Sequence, residues 1–219
     1  MNQEKIILES GFKPEFHGFR FINTFKFPAP LKSIANLFNK TSNKVYGLCG
    51  GMCFAALDYF YANIPIPQQK QILENFSGLH RYLWSRQIAT FAWLRVPIRI
   101  ISWMLSSDKK VSVLTAEKEL PKLLQNMKQK KPVVLALVRE KGFHSPTHNH
   151  QVIATSCIYE QRSGNVTINI YDPNHSSLDQ NHRITLNVSQ PSIGIKIQQS
   201  TNEPLRGFFL IPYKHHKPI

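Results

Sequence analysis

Three widely separated residues in this 219-residue sequence combine a thiol, an imidazole and a carboxylate. Cys49 stands directly before two glycines and a long apolar run. His150 opens an apolar segment in the second half of the chain, and Asp172 directly follows the next such segment. A histidine that is oriented by a carboxylate can take the proton of a thiol, and the resulting thiolate attacks acyl groups. The three residues therefore predict nucleophilic acyl-transfer chemistry.

The residues that follow Cys49 predict a helix in the middle of a domain. Residues 46–60 are apolar on every side of a helix apart from Asp58, and two prolines end the segment shortly afterwards. A cysteine at the start of a helix lies beside free N–H groups and the positive end of the macrodipole, which favour the thiolate. The two glycines leave room for a substrate backbone. Cys49 is therefore the preferred nucleophile.

The other cysteines offer alternatives. Cys53 lies one helical turn after Cys49 on the same face, so only one of the two can occupy the helix start. It falls within the apolar run and is the alternative nucleophile. Cys157 lies in the middle of a strand-like segment and is expected to be a core residue. Small cysteines are common in helical cores, so the sequence around Cys49 is also compatible with a buried residue that has no function.

A β-hairpin is the element that would bring His150 and Asp172 together. Segments 150–159 and 166–171 are both strand-like, and a polar turn near 163–164 separates them. The open end of this hairpin would carry the histidine on one strand and the aspartate after the other. Their spacing is not symmetric about the turn, so a bulge or an irregular loop is expected.

The first half of the chain is predicted to be mostly helical. Residues 68–106 contain apolar and aromatic residues at helical spacing, and we expect this stripe to be buried in the core. An extended, phenylalanine-rich arm packed on the body is expected at residues 11–30. The leucines between 120 and 127 also recur at helical spacing, which predicts a further helix.

The second half is predicted to form an antiparallel sheet. The short apolar run 133–138 is typical of a buried strand. The remaining strand candidates are residues 183–188, 193–197 and 206–213.

These elements predict one α+β domain over residues 1–219, in which the helix that carries the nucleophile packs on the sheet. The expected parts are an N-terminal arm (1–45), a helical half (46–110) and a β-rich half (111–219).

Four short motifs in this order resemble the papain-like cysteine peptidases, and most closely their bacterial leader-peptide (double-glycine) peptidase branch. The motifs are Cys49-Gly50, Pro132-Val-Val-Leu135, His150-Gln-Val152 and Asp172-Pro173, and the resemblance spans roughly residues 43–173. It implies that Cys49 is the nucleophile, His150 the general base and acid, and Asp172 the orienting residue.

The resemblance also implies a peptide or protein substrate and no cofactor. The same residue set performs hydrolysis of peptides and other amides, transglutamination and deamidation, so these reactions remain open. In the family, a glutamine six residues before the nucleophile forms the oxyanion hole together with the backbone N–H of the cysteine. This chain has the shorter Asn43 at that position.

A metal site is the alternative use of the histidines. His144, His148 and His150 lie close together in sequence, and with His175 and Cys49 they could form a zinc site. The sequence has no H-E-x-x-H motif and no paired C-x-x-C motifs. We therefore expect no metal at these residues.

The formal net charge of +14 predicts attraction to an acidic partner, which could be a protein, nucleic acid or an anionic membrane. The lysines are scattered and have no interleaved aromatic residues, which argues against nucleic acid. The alternative to catalysis is therefore a non-catalytic papain-like module that binds an acidic partner through its basic surface.

The sequence also bears on the compartment. Three cysteines do not form a disulfide framework and are typical of a reducing environment. The first ten residues include acidic ones and lack the apolar core of a signal peptide. Arg95 and Arg99 interrupt the longest apolar region, which argues against a transmembrane segment. We expect a soluble protein that is cytoplasmic or exported without a cleavable signal peptide.

Overall fold

A computed structural model describes residues 5–26, 45–70, 77–143, 148–179 and 181–219. In these ranges helices combine with an antiparallel sheet, which confirms this part of the predicted fold class. A π-helical segment, Leu114–Glu119, joins the last two helices. The helices are α1 (Pro14–His17), α2 (Cys49–Ala62), α3 (Gly78–Thr90), α4 (Arg95–Met104), α5 (Asp108–Val113) and α6 (Leu120–Lys128).

The strands are β1 (Lys5–Glu9), β2 (Phe25–Lys26), β3 (Val45–Tyr46), β4 (Val133–Val138), β5 (His150–Glu160), β6 (Asn165–Tyr171), β7 (Arg183–Asn187), β8 (Ile197–Gln199) and β9 (Gly207–Ile211). Within the described ranges, the main sheet has the strand order β8-β7-β6-β5-β4-β9, and β1 pairs with the second half of β5. All of these pairs are antiparallel. The two short strands β2 and β3 pair with each other in a separate two-stranded sheet.

Helix α2 is the central helix on one side of the sheet. It begins at Cys49 and ends at Ala62, and the next residue, Asn63, caps it with a left-handed backbone (φ 54°). Ten successive residues from Gly50 to Tyr59 are buried. A helix that is apolar on all sides must be surrounded by other elements. Here α3, the sheet and the N-terminal residues pack around α2.

Strand β4 lies inside the sheet, and its position there accounts for the unbroken apolar run at residues 133–138. All six of its residues are buried, because helices pack on both faces. Val134 and Ala136 join the core that surrounds α2, whereas Leu135 and Leu137 join a second core with Leu123 of α6.

The β5–β6 hairpin positions the predicted histidine and aspartate. Ile153 pairs with Tyr171, so the start of β5 lies beside the end of β6. The register shifts between Ala154 and Ser156, which is the irregularity that the asymmetric spacing predicts.

The structure differs from the sequence predictions at four places. Within the predicted extended arm, residues 14–17 form helix α1. Residues 5–9 form a strand of the main sheet, so the N-terminal region contributes to the β-rich half. Strand β8 begins at Ile197, later than predicted. One side of α4 is buried, with Val96, Trp103 and Met104 in the core, as predicted, whereas Ile98 and Ile101 on its other side are exposed. Of the predicted helical region, residues 71–76 lie outside the described ranges.

A candidate thiol active site

The thiol of Cys49 lies at the first residue of α2 and is partly accessible to solvent. Its side chain is hydrogen-bonded to the ring of His150, and the backbone N–H groups of Gly50 and Gln151 also donate to the sulfur. Three donors therefore converge on one sulfur atom at a helix start, which is an environment that stabilises a thiolate.

The other side of the His150 ring is held by Asp172. His150 Nε2 lies 2.7 Å from Asp172 Oδ1, and both side chains are buried. Because Nε2 faces the carboxylate, Nδ1 is the ring nitrogen that remains for the thiol. The structure therefore arranges Cys49, His150 and Asp172 in a continuous hydrogen-bonded row.

Burial opposes charge on all three groups, but their mutual contacts outweigh it. In Cys49 the hydrogen bond and charge of His150, with the two N–H groups, lower the pKa of the thiol. The carboxylate of Asp172 and the contact with Cys49 raise the pKa of His150 to about 10. The imidazolium and the N–H of Asn174 lower the pKa of Asp172 to about 2. These contacts therefore favour the thiolate–imidazolium pair beside the ionised carboxylate.

The alternative nucleophile has a different environment. Cys53 is fully buried, and its thiol donates to the carbonyl oxygen of Gln151 at 3.5 Å. Burial, together with the nearby Cys49 and Asp172, raises the pKa of the Cys53 thiol well above its usual value. Cys157 is buried in the second core, and burial raises its pKa to about 12. Both environments are typical of inert core cysteines.

Helix α3 crosses the start of α2 and completes the wall beside the nucleophile. Gln87 Oε1 accepts the N–H of Gly51 at 2.9 Å. Thr90 receives a hydrogen bond from the side chain of Gln151 at 3.4 Å. A Cβ on Gly50 would lie 2.8 Å from Thr90 Cγ2 and would also collide with the side-chain amide of Gln151, so a larger residue here would displace both side chains.

Asn23 connects the two halves of the site, and the sequence analysis did not identify it. Its Oδ1 accepts the N–H of Leu48, directly before the nucleophile. Its Nδ2 donates to Asn174 Oδ1 at 2.9 Å, and its own N–H donates to the carbonyl of Pro173 at 2.8 Å. One side chain thus ties the start of α2 to the loop after Asp172.

The second oxygen of Asp172 also has a partner that sequence reasoning missed. Gln199 Nε2 donates to Asp172 Oδ2 at 3.3 Å, and Gln199 Oε1 accepts from Arg139 Nη2 at 3.2 Å. Arg139 is in turn held by Glu203 through two hydrogen bonds of 2.5 and 2.9 Å. No sequence motif marks Gln199, because its strand lacks a clear periodic pattern.

Two predicted residues, Asn43 and His144, lie outside the described ranges. The remaining members of the predicted zinc set do not converge. His148 lies 3.0 Å from Glu140 Oε1 and is exposed, while His150 is taken up by Asp172 and Cys49. Among the described residues, a different set could hold a metal ion, consisting of His175, Asp179 and His182.

An exposed apolar surface begins beside the site and continues along α4. Thr90, which packs on Gly50, is followed by a turn in which Ala92, Trp93 and Leu94 all have positive φ. Trp93 is 91% exposed. We call the exposed side chains of this turn and helix the apolar face. Its members are Trp93, Leu94, Ile98, Ile101 and Leu105.

Comparisons with known proteins returned nothing: no protein-family model, no curated protein and no solved structure significantly matches this chain. Across the described residues, none of the helices has both the length and the apolar character to cross a membrane.

Proposed function

We propose that this protein is a papain-like thiol hydrolase or acyl transferase that acts on amide or peptide bonds. Cys49 is the nucleophile, His150 the general acid and base, and Asp172 the residue that orients the imidazole. The observation that carries the proposal is the contact of a helix-start thiol with a histidine whose Nε2 lies 2.7 Å from a buried carboxylate. The order of the three residues along the chain, and the helix-then-sheet arrangement, support a papain-like relationship.

In the first half of the reaction, the Cys49 thiolate attacks the carbonyl carbon of the substrate and a carbon–sulfur bond forms. The electron pair of the carbonyl moves onto oxygen, where the backbone N–H of Cys49 stabilises the negative charge. When this intermediate collapses, the carbon–nitrogen bond breaks and the imidazolium of His150 gives its proton to the leaving amine. A thioester on Cys49 and a neutral imidazole remain.

In the second half, His150 takes a proton from water or from a second amine as that molecule attacks the thioester. The carbon–sulfur bond breaks, the acid or the new amide leaves, and the thiolate and imidazolium are restored. Asp172 stays ionised throughout and stabilises the imidazolium each time it forms. The choice between water and an amine decides between hydrolysis and transfer.

Covalent labelling tests the nucleophile directly. The wild type and the Cys49→Ala and Cys53→Ala variants would be treated with an iodoacetamide or vinyl-sulfone probe, and the modified peptide would be mapped by mass spectrometry. We expect labelling in the wild type and in Cys53→Ala and its loss in Cys49→Ala. Labelling that persists in Cys49→Ala and disappears in Cys53→Ala would overturn the assignment. Adding an amine acceptor to a peptide-amide mixture would then separate transfer from hydrolysis.

A second candidate function is favoured by the apolar face. Side chains exposed at four positions of one helical side, beside an exposed tryptophan, are typical of a segment that lies in a membrane interface. The surrounding segment is basic, since Asp108 is the only acidic residue between positions 78 and 113, which contain six arginines and lysines. Two of the six, Arg86 and Arg99, pair with the buried carboxylates of Asp58 and Glu119, and the other four are Arg81, Arg95, Lys109 and Lys110. We infer that the acidic partner of this chain is an anionic membrane surface, and this role is compatible with catalysis.

Backbone strain supports this inference. Three consecutive non-glycine residues with positive φ are rare and cost free energy, yet the turn they form exposes Trp93 instead of burying it. Strain that does not serve packing is typical of a functional segment.

Vesicle co-sedimentation tests the membrane role. The wild type is expected to bind vesicles that contain phosphatidylserine, and to bind pure phosphatidylcholine vesicles much less. Trp93→Ser combined with Ile98→Ser should abolish binding, whereas Phe16→Ser, an exposed aromatic on α1, should not affect it. Equal binding by the double variant would rule out the apolar face as the contact, and binding of nucleic acid instead of vesicles would reassign the acidic partner.

A further inference from the structure

The loop between β6 and β7 carries three side chains with metal-ligating atoms that lie close together. The ring nitrogens of His175 and His182 and the carboxylate of Asp179 provide one ligand atom each, and all three atoms lie within 4.8 Å of one another. We propose that these residues bind a divalent transition-metal cation of the zinc type. This site shares no side chain with the thiol site.

The environment of His182 points to a ligand. Its side chain is only 9% exposed, and its Nε2 atom has no hydrogen-bond partner among the described residues, although Asp179 Oδ2 lies 3.3 Å away. A buried ring nitrogen without a hydrogen bond costs free energy, because it has lost water without gaining a protein partner. A cation between these residues would be bound by both the ring nitrogen of His182 and the carboxylate of Asp179.

The third ligand lies on the same side. The rings of His175 and His182 are close, with their centroids 4.1 Å apart and their planes inclined by 32°. In a tetrahedral zinc site, ligand atoms lie about 3.3 Å apart, given zinc–ligand distances of roughly 2 Å. The present separation of up to 4.8 Å therefore needs only small rotations of side chains. His175 and Asp179 are more exposed than His182, so they can make these rotations.

The donor set decides the kind of cation. Two imidazoles and one carboxylate favour zinc and its neighbours, such as cobalt and nickel, over magnesium or calcium, which prefer oxygen ligands. Three protein ligands leave a fourth position for water. The set therefore predicts a site that exchanges its metal more readily than a closed four-ligand site.

The position of the loop gives the cation a structural role. The N–H of His175 donates to the carbonyl of Asp172 at 3.0 Å, and the carbonyl of His182 accepts from Ile170 at 2.9 Å at the other end of the loop. A bound cation would link these two ends. It would thus hold the segment that contains Asp172 and Asn174 and would stabilise the folded chain.

Isothermal titration with ZnCl₂ tests the proposal, on chelator-treated protein that carries Cys49→Ala so that the thiol cannot bind the metal. We expect one zinc per chain and a rise in melting temperature on addition of zinc. Asp179→Asn should weaken binding by about tenfold or more, since even outer ligands of metal sites contribute that much. Asp179 is exposed, so this variant is expected to fold, and circular dichroism would check it.

His182→Asn should abolish the visible absorption bands of bound Co²⁺, and His148→Asn, a histidine outside the cluster, should leave them unchanged. Absence of zinc binding, or equal binding by the wild type and Asp179→Asn, would overturn the proposal. Loss of binding in His148→Asn alone would move the site to the other histidine loop. Because Cys49 is absent from the tested protein, these outcomes are independent of the proposed catalysis.

Discussion

Gly51 of α2 lies so close to Leu83 of α3 that a Cβ atom on Gly51 would be 2.2 Å from the carbonyl oxygen of Leu83. Any side chain at position 51 would collide with backbone atoms of α3, which cannot move aside as the end of a flexible side chain could. This close approach lets α3 cross the start of α2, where Gln87 reaches the N–H of Gly51. The second glycine after the nucleophile is therefore required by helix packing.

Gly51→Ala is expected to destabilise the protein by about 1–3 kcal/mol, because the added methyl group forces the two helices apart. The measurement is the free energy of unfolding in urea. Gly78→Ala is the matched control, since a Cβ there would meet no atom of the described residues within 4 Å. It should be neutral or stabilising by about 0.5–1 kcal/mol, as alanine is the better helix former. Equal effects of the two variants would contradict this account of α2 and α3.

The pH dependence of alkylation should report the contact between Cys49 and His150. The thiolate is the reactive form, and its pKa lies below the ordinary value of 9.0. In a Cys53→Ala background, the rate of reaction with iodoacetamide should therefore rise with pH to a plateau, with its midpoint below 9.0. The imidazolium partner persists up to a pH of about 10.

His150→Asn should shift that midpoint to higher pH. Burial alone raises the pKa of the Cys49 thiol, and this variant removes the largest of the contacts that oppose burial. The rate at neutral pH should fall accordingly. A midpoint that does not move between the two proteins would show that His150 does not stabilise the thiolate.

Gln199 is expected to act as a positioning residue for Asp172. Gln199→Leu removes the donor to Asp172 Oδ2, and the loss of one hydrogen bond to a charged group corresponds to about a tenfold lower labelling rate at Cys49. The pH midpoint of labelling should also shift upwards, which a loss of stability alone would not produce. Asp172→Asn provides the reference and should lower the labelling rate at Cys49 more than Gln199→Leu does.

Asp58 is the charged residue inside α2, and its substitution should weaken the fold strongly. It is fully buried, pairs with Arg86 at 2.6 Å and accepts hydrogen bonds from the hydroxyls of Tyr82 and Tyr213, both at 2.7 Å. Asp58→Asn leaves the buried guanidinium without its counter-charge, which costs about 3–5 kcal/mol. Urea denaturation measures the change.

The control for Asp58 is Asp108→Asn. Asp108 also forms ion pairs, with Lys141 and Arg206 at 2.7 Å each, but its side chain is 61% exposed. Exposed pairs contribute roughly 0–1 kcal/mol, so only a small loss is expected. A loss as large as that of Asp58→Asn would mean that burial is not what makes the α2 pair important.

Local patterns in the sequence were sufficient for much of the fold. The apolar run after Cys49 predicted α2, the run at 133–138 predicted β4, and the two segments before Asp172 predicted the hairpin with its irregular register. The two unbroken apolar runs are buried on all sides, and both strands of the hairpin are largely buried. Burial of a helix or strand requires apolar residues at particular spacings a few positions apart, and these spacings are visible in the sequence.

The extent to which α4 is buried could not be predicted in this way. An amphipathic stripe shows that one face differs from the other, but not whether the apolar face meets the core, another molecule or water. The described structure buries Val96, Trp103 and Met104 in the core and leaves Ile98 and Ile101 exposed on the other side of the helix.

By itself, the sequence determined which residues could perform thiol chemistry and which elements carry them. Only the tertiary structure decided what surrounds them. Asn23 and Gln199 reach the site from opposite ends of the chain. Single hydrogen bonds between distant residues leave no periodic trace in a sequence, because they depend on how the strands and helices pack and not on local spacing.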